Sequence, residues 1–504
     1  MLTGSALPGL TTRLLAALGL VCVGALLLAP TDAFARGGKK KDEKSAAEAA
    51  FDEGYGSDDA KVRGDAVSAL RDAPDNLKVS LISTKVIPKE KRADVVMRAV
   101  LVLSRVKDEA AVKKVVTLAK NGKTDRRVVY LEALAKIDGS ASHEALLAAL
   151  KDKEPRVRGM AAYGLGAHRA MDALDPLLGA LDDTYWQVQS AALESIPRLQ
   201  DKETLKQVAV PKLVDFLENV SGRLAADAAD KLARITGKRL GRDVKKWRRY
   251  MAGQPQETEA AEGSEGDGSA SGGSDGAYGN AADRPHFYGM EVVSNRVVLI
   301  VDISLSMNDP IEIDMDRLRR ETSRRKTVTG EKGSKGEPKD EDHSYDIPWW
   351  RIKTRLDLAR EQTILLISQM RSEQEFDMIF YSTKVNSWMG RLVPANSANK
   401  QKAIAALQNM KPDDKTNTWG ALALAFDLMG NDKKSYEKGP DELYLVTDGA
   451  PSTGDIIEQD QILEAVLQLH KTKPIRINCI GIGVNFKFMR KMARMTGGKA
   501  VAFQ

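Results

Sequence analysis

Across residues 58–251 one pattern keeps returning: a valine beside an arginine or glutamine, then small residues, then leucine. Val62-Arg63 leads to Ala66 and Ala69-Leu70, Arg127-Val128 to Leu131 and Ala133-Leu134, Val157-Arg158 to Ala161-Ala162 and Leu165, and Val188-Gln189 to Ala191-Ala192-Leu193. The interval is about 30 to 35 residues, the period of a two-helix unit that buries its apolar face only by stacking on its neighbours. Second helices lie between, as at Leu146-Leu147 and Leu177-Leu178. Alanines at the crossing positions let helices approach closely. The acidic turns at residues 152–155 and 181–184 are expected to cap the helices that follow.

These features resemble the HEAT-repeat superfamily, in its short HEAT-like form, over five or six units. Residues 152–166 carry the sharpest match and residues 93–103 a degenerate one. The resemblance implies an all-α solenoid. Most such proteins are binding scaffolds and some are bilin lyases, so the repeats alone assign no chemistry. The solenoid ends in Lys238-Arg239, Arg242, Lys245-Lys246 and Arg248-Arg249 with Trp247 and Tyr250 interleaved. We expect the two aromatics to close the last repeat while the charges face water, and no nucleic-acid partner.

Residues 252–285 break the pattern. Their Gly, Ser, Asp and Glu bury too little apolar surface to offset ordering entropy, which predicts an acidic flexible linker. At the other end, Arg13, an apolar run from Leu14 to Leu28 and Ala33-Phe34-Ala35 predict a signal peptide over residues 1–35 cleaved after Ala35, an uncleaved anchor being the alternative. Residues 36–57 then form a charged N-terminal segment. The expected location is outside the cytosol: periplasm, cell surface or secreted medium. No transmembrane span is expected after signal removal. Lys plus Arg number 76 and Asp plus Glu 70, a net charge of +6 over 504 residues that selects no partner class. Cys22 and Cys479 are the only cysteines, and the 5 histidines are scattered, so neither a disulfide framework nor soft-metal chemistry is expected.

The second half, residues 286–504, opens on Val297-Val298-Leu299-Ile300-Val301, a continuous apolar run suited to a strand with helices over both sheet faces. It ends in Asp302-Ile303-Ser304-Leu305-Ser306, where alternation sets Asp302, Ser304 and Ser306 on one side. One carboxylate and two hydroxyls are hard donors, suited to magnesium or manganese. Thr416 and Thr418 precede a helix at Ala421-Leu422, and a second apolar run at residues 443–447 ends in Asp448-Gly449. In an alternating α/β chain, donors at the carboxyl ends of strands converge on one crevice.

Residues 292–504 thereby resemble the von Willebrand factor type A (vWA) domain with its metal-ion-dependent adhesion site. The resemblance implies an α/β doubly wound, Rossmann-like fold with a mainly parallel central sheet. It implies metal ligands at Asp302, Ser304, Ser306, Thr416 and Asp448, Thr418 being the alternative to Thr416. Asp413-Asp414-Lys415 stand where the family often has glycines. The implied ion is Mg2+, with Ca2+ or Mn2+ as substitutes, and the implied act is capture of a partner's carboxylate. Cys479 reads as core on the strand at residues 477–483. An insertion at residues 308–350 interrupts the strand-to-helix connection, far beyond the usual loop of about 2 to 6 residues. It reads as a solvated loop that tunes partner choice, or as a source of internal ligands at Asp309, Glu312, Asp314 and Asp316.

The expectation is therefore an exported adhesion-type scaffold rather than an enzyme. The vWA domain would bind an acidic protein ligand and the repeats a second protein. An accessory subunit of an envelope assembly, or an enzyme acting through the repeats, are the alternatives. The glycines at residues 330–336 lack the spacing and strand context of a phosphate-binding loop.

Overall fold

The computed structural model describes residues 39–255, 285–311, 345–484 and 487–503. The chain divides after Ala46 into two compact units, and the second holds both the repeats and the sheet. The signal peptide expected at residues 1–35 and nearly all of the linker, residues 256–284, lie outside the described residues. Among the described residues, no helix is long and apolar enough to cross a membrane.

The repeat region is helical throughout, with Ala93–Leu103, Glu109–Lys120, Thr124–Leu134, Ser140–Ala149, Pro155–His168, Trp186–Ser195, Val210–Asn219 and Gly222–Thr236 among its helices. One apolar core runs from Phe51 to Trp247. Helices cross tightly where small residues meet: a Cβ on Gly166 would stand 2.5 Å from Ser195. The segment 93–103, degenerate as a sequence repeat, is a regular helix whose Val95, Ala99, Val102 and Leu103 are buried at helical spacing. Trp247 is fully buried with Tyr250 edge-on to it, closing the last unit as expected.

Two expectations are corrected. Residues 36–57 are not merely a charged segment, because the helix Lys39–Tyr55 buries Phe51 and stacks it on Tyr55 at 5.2 Å. That pair sits one helical turn apart, so one face of an otherwise charged helix is apolar. Nor do the acidic turns cap through the first helical residues. Asp152 accepts from the Glu154 N–H at 2.9 Å and pairs with Arg127, and Asp183 accepts from the Tyr185 N–H at 2.9 Å and pairs with Arg158 through both oxygens at 2.6 and 2.8 Å. Each aspartate shapes the turn and ties one repeat to the preceding one.

The second half contains strands β1 (His286–Phe287), β2 (Met290–Glu291), β3 (Arg296–Asp302), β4 (Glu375–Tyr381), β5 (Val385–Ser387), β6 (Val393–Pro394), β7 (Glu442–Thr447), β8 (Arg476–Ile482) and β9 (Ala500–Phe503). β1 pairs with β2, and the main sheet runs β5-β4-β3-β7-β8-β9 with β6 also on β4. β4, β3, β7, β8 and β9 are parallel. Alternation explains the two-sided core. Val297, Leu299 and Val301 join helices Arg355–Gln369 and Ser397–Gln408 on one face. Val298 and Ile300 join Thr418–Asp427, Gln459–His470 and Lys487–Met495 on the other, together with buried Cys479. A side chain enclosed in this way contributes about 1.5–3 kcal/mol. Burial pushes the Cys479 thiol up to about 12, consistent with a core residue.

The two halves are docked, which a reading of independent bodies on a tether did not anticipate. Trp186 of the repeats packs into the core beside Ile300 and Leu443 and donates from its ring nitrogen to the Glu437 carbonyl at 3.0 Å. Arg223 is buried and donates to the carbonyls of Asp441, at 2.8 Å, and Pro474. Asp227 pairs with Arg223 at 3.2 Å and with Arg476, while Glu132 takes Lys471 at 2.6 Å and Gln468. Burial pushes the Asp227 carboxyl up, but Arg476 and Arg223 outweigh it and hold the group below its ordinary value.

Candidate metal centre

Asp302 is the last residue of β3, and Asp448 follows β7 on the neighbouring strand, so parallel register delivers both carboxylates to the same sheet edge. Asp302 is fully buried, with Oδ1 accepting from the Ser304 N–H at 2.8 Å and Oδ2 from the Thr447 hydroxyl at 2.6 Å. The Ser304 and Ser306 hydroxyls lie 3.2 Å apart, and Ser306 donates to Asp448 Oδ1 at 2.8 Å. A Cβ on Gly449 would stand 3.6 Å from Thr416 Oγ1 and 3.7 Å from Ser306 Oγ. Ser306 and Thr416 thus face one small space beside Gly449, with Ser304 and Asp448 within hydrogen-bond reach of Ser306, and Asp302 adjoins them through the Ser304 N–H and Thr447.

Thr416, not Thr418, faces that space. The Thr418 hydroxyl, at the first turn of its helix, is instead buried beside the Tyr381 hydroxyl, beneath Asp302. Thr416 is held by Ser452: its N–H donates to Ser452 Oγ and its carbonyl accepts from the Ser452 N–H, both at 2.9 Å. The Asp413-Asp414-Lys415 turn replaces the family's glycines without opening the loop. The Asp413 N–H donates to the Ile303 carbonyl at 2.7 Å and its side chain accepts from Ser382 at 2.7 Å, while the Leu305 N–H reaches the Asp414 carbonyl at 3.2 Å.

Sequence reasoning missed Arg355. Its guanidinium donates to Asp448 Oδ2 at 2.8 Å and stands 3.5 Å from Asp309. Some 50 residues separate it from Asp302, but Thr354 and Asp357 form a reciprocal capping box around it, a signal legible as Thr-x-x-Asp before an apolar helix. Of the expected internal ligands, Asp309 meets Arg355, and Glu312, Asp314 and Asp316 lie outside the described residues.

The donor set fits a hard divalent cation. Burial pushes the Asp302 carboxyl up to about 6, against the Thr447 and Ser304 hydrogen bonds, and no ion pair to Asp302 occurs among the described residues. Two carboxylates and three hydroxyls are oxygen ligands of the kind Mg2+ accepts. Among the described residues no group of three or more His, Cys, Asp or Glu has metal-holding geometry, so the hydroxyls are essential to the fit.

Comparison with known proteins agrees with this architecture. Residues 357–502 match the von Willebrand factor type A domain family, and residues 122–197 and 143–233 match HEAT repeats. Human inter-alpha-trypsin inhibitor heavy chain H1 is 28% identical over 146 residues, which cover 28% of this chain and 16% of that protein. Human von Willebrand factor A domain-containing protein 3B is 27% identical over 154 residues, covering 29% of this chain and 11% of that one. The chain therefore spans about a sixth or less of the length of these curated relatives. A solved von Willebrand factor type A structure from Catenulispora acidiphila aligns over 42% of this chain and 40% of its own, at 18% identity and a TM-score of 0.29. Sheet order, strand-end geometry and family matches together identify the chain as HEAT repeats followed by a von Willebrand factor type A domain.

Proposed function

We infer that the combination of vWA domain and HEAT repeats makes a protein-interaction scaffold. We propose that this scaffold is exported and non-catalytic. In this reading Asp302, Ser304, Ser306, Thr416 and Asp448 hold Mg2+, or Ca2+ or Mn2+ in its place, to capture an acidic side chain of a protein partner. The observation that carries the reading is Asp302: buried, unpaired by any cation of the described chain, and held by the Thr447 hydroxyl and the Ser304 N–H beside the Ser304 and Ser306 hydroxyls. A bound divalent ion supplies a position for an incoming carboxylate. The chain's own groups set the charge. Arg355 stands between Asp448 and Asp309, so with a divalent ion bound the three carboxylates, Asp302 included, are balanced by three positive charges and no excess negative charge repels an incoming acidic group. Thr447 and the Ser304 N–H fix Asp302, and Ser452 fixes Thr416, so little ordering remains to be done on binding. The repeats retain surface for a second protein beyond the part that the vWA domain covers. Export rests on the apolar run and Ala33-Phe34-Ala35 in the sequence.

The test is a pull-down from envelope extract with the wild type and Ser304→Ala, each with Mg2+ and with chelator, beside calorimetric titration of Mg2+. Capture that needs both the ion and Ser304 is expected. Capture that survives both chelation and Ser304→Ala would sink the reading.

A further inference from the structure

Two of the five histidines, His143 and His168, meet on the repeats. His143 lies in the helix Ser140–Ala149, and His168 ends the helix Pro155–His168. Their Nδ1 atoms are 3.3 Å apart, with the rings inclined by 23°. The opposite nitrogens fix the tautomers. His168 Nε2 faces the Leu134 carbonyl at 3.0 Å, and His143 Nε2 faces the two oxygens of Asp172 at 3.0 and 3.1 Å. Carbonyl and carboxylate oxygens only accept, so both Nε2 atoms carry the hydrogen. Each neutral ring is then left with a bare lone pair at Nδ1, and the two nitrogens face each other across 3.3 Å. That contact is repulsive unless something electron-accepting lies between them.

We propose that His143 and His168 form a transition-metal site, for an ion of the Zn2+ or Cu2+ class, distinct from the hard-cation crevice of the vWA domain. Zn–N bonds are about 2.0–2.1 Å, and two nitrogens 3.3 Å apart then subtend roughly the tetrahedral angle at the ion. Imidazole nitrogen suits zinc and copper where hydroxyl and carboxylate oxygen suits magnesium, so the two sites select different ions. Asp172 and the Leu134 carbonyl are the partners that orient ligating histidines, by taking the second ring N–H. The His143 side chain is 14% exposed and Asp172 is 64% exposed, so solvent reaches the pair to complete the shell. The site spans successive elements, ending in the turn that carries Asp172, and an ion there would clamp neighbouring repeats. A single proton shared by the two rings is the competing way to relieve the contact.

The experiment uses the full chain, stripped with chelator and then kept in excess Mg2+ to saturate the crevice. Zn2+ is titrated by calorimetry, and Cu2+ by electron paramagnetic resonance. Saturable 1:1 binding is expected, with a Cu2+ signal split by two nitrogens. His143→Gln and His168→Gln should each weaken binding at least 10-fold. Asp172→Asn should weaken it about 10-fold without removing a ligand. His286→Gln should leave it unchanged. Melting temperatures without metal check that each variant folds, and Zn2+ should raise the melting temperature of the wild type but not of the histidine variants. Absence of saturable Zn2+ and Cu2+ binding, as for a shared proton, or binding that survives both histidine substitutions, would overturn the proposal.

Discussion

The interface between repeats and sheet and the crevice at the end of β3 both bury acidic side chains, and they treat them in opposite ways. At the interface Asp227 meets Arg223 and Arg476, and Glu132 meets Lys471, so each carboxylate finds its cation within the chain. In the crevice Asp302 finds only a hydroxyl and an N–H, and Asp448 shares an arginine with Asp309 at the rim. Matched charge fixes one docking geometry. Unmatched charge leaves a place for something that arrives from outside.

Asp227→Ala tests the matched side most severely. It leaves Arg223 and Arg476 buried together, and a loss of about 3–5 kcal/mol is expected. Chemical denaturation should show it, and hydrogen exchange should rise at the Glu437, Asp441 and Pro474 contacts. A loss under 1 kcal/mol would mean that these pairs do not hold the halves together.

Acid attacks the same interface next. Burial, with Arg223 adding, holds the His470 pKa down to about 4, and Glu194 and Asp227 only partly oppose this. An unfolded histidine titrates near 6.5, so the unfolded chain takes up the proton first. The stability from neutral His470 is present in full above pH 6.5 and is lost as pH falls toward 4, by up to about 3 kcal/mol. His470→Gln should flatten that part of a stability-against-pH curve.

On the unmatched side, saturating Mg2+ at a hundred times its dissociation constant should stabilise the wild type by about 2.7 kcal/mol, and Ser304→Ala should abolish most of this in thermal melts. The smallest effect is expected for Arg355→Gln. Without the guanidinium on Asp448, Mg2+ should bind a few-fold tighter, while stability without the ion changes by less than about 1 kcal/mol because the arginine is partly exposed and buried Asp448 keeps the Ser306 hydroxyl. Weaker Mg2+ binding would show instead that Arg355 positions Asp448 for the ion.

What could be read in advance follows from how far each interaction reaches along the chain. Asp302, Ser304 and Ser306 sit within one short motif, and the strand ends that carry them announce themselves as apolar runs, so the crevice was legible down to Thr416. Ser452 and Arg355 were not, because a hydroxyl that braces a loop and an arginine beyond a long insertion follow no local pattern. Asp227 and Glu132 lie in helices where an acidic residue ordinarily faces water, and only the docked sheet reveals what they pair with. His143 and His168 lie 25 residues apart, as do Arg127 and Asp152 and also Arg158 and Asp183. That offset measures the distance between touching points of neighbouring repeats, and it could have brought two apparently scattered histidines together.

The insertion beside the crevice enters and leaves through a closed neck. Pro310 bridges to Thr354, the Ile311 N–H donates to the Lys353 carbonyl at 3.1 Å, and the Arg355 N–H donates to the Asp309 carbonyl at 3.2 Å. Because those bonds already join the two ends, the cost of closing the loop changes only slowly with its length. A different segment grafted between Ile311 and Tyr345 would therefore leave Asp302 and Asp448 where they are, because the neck and not what it carries fixes β3 and the helix that follows.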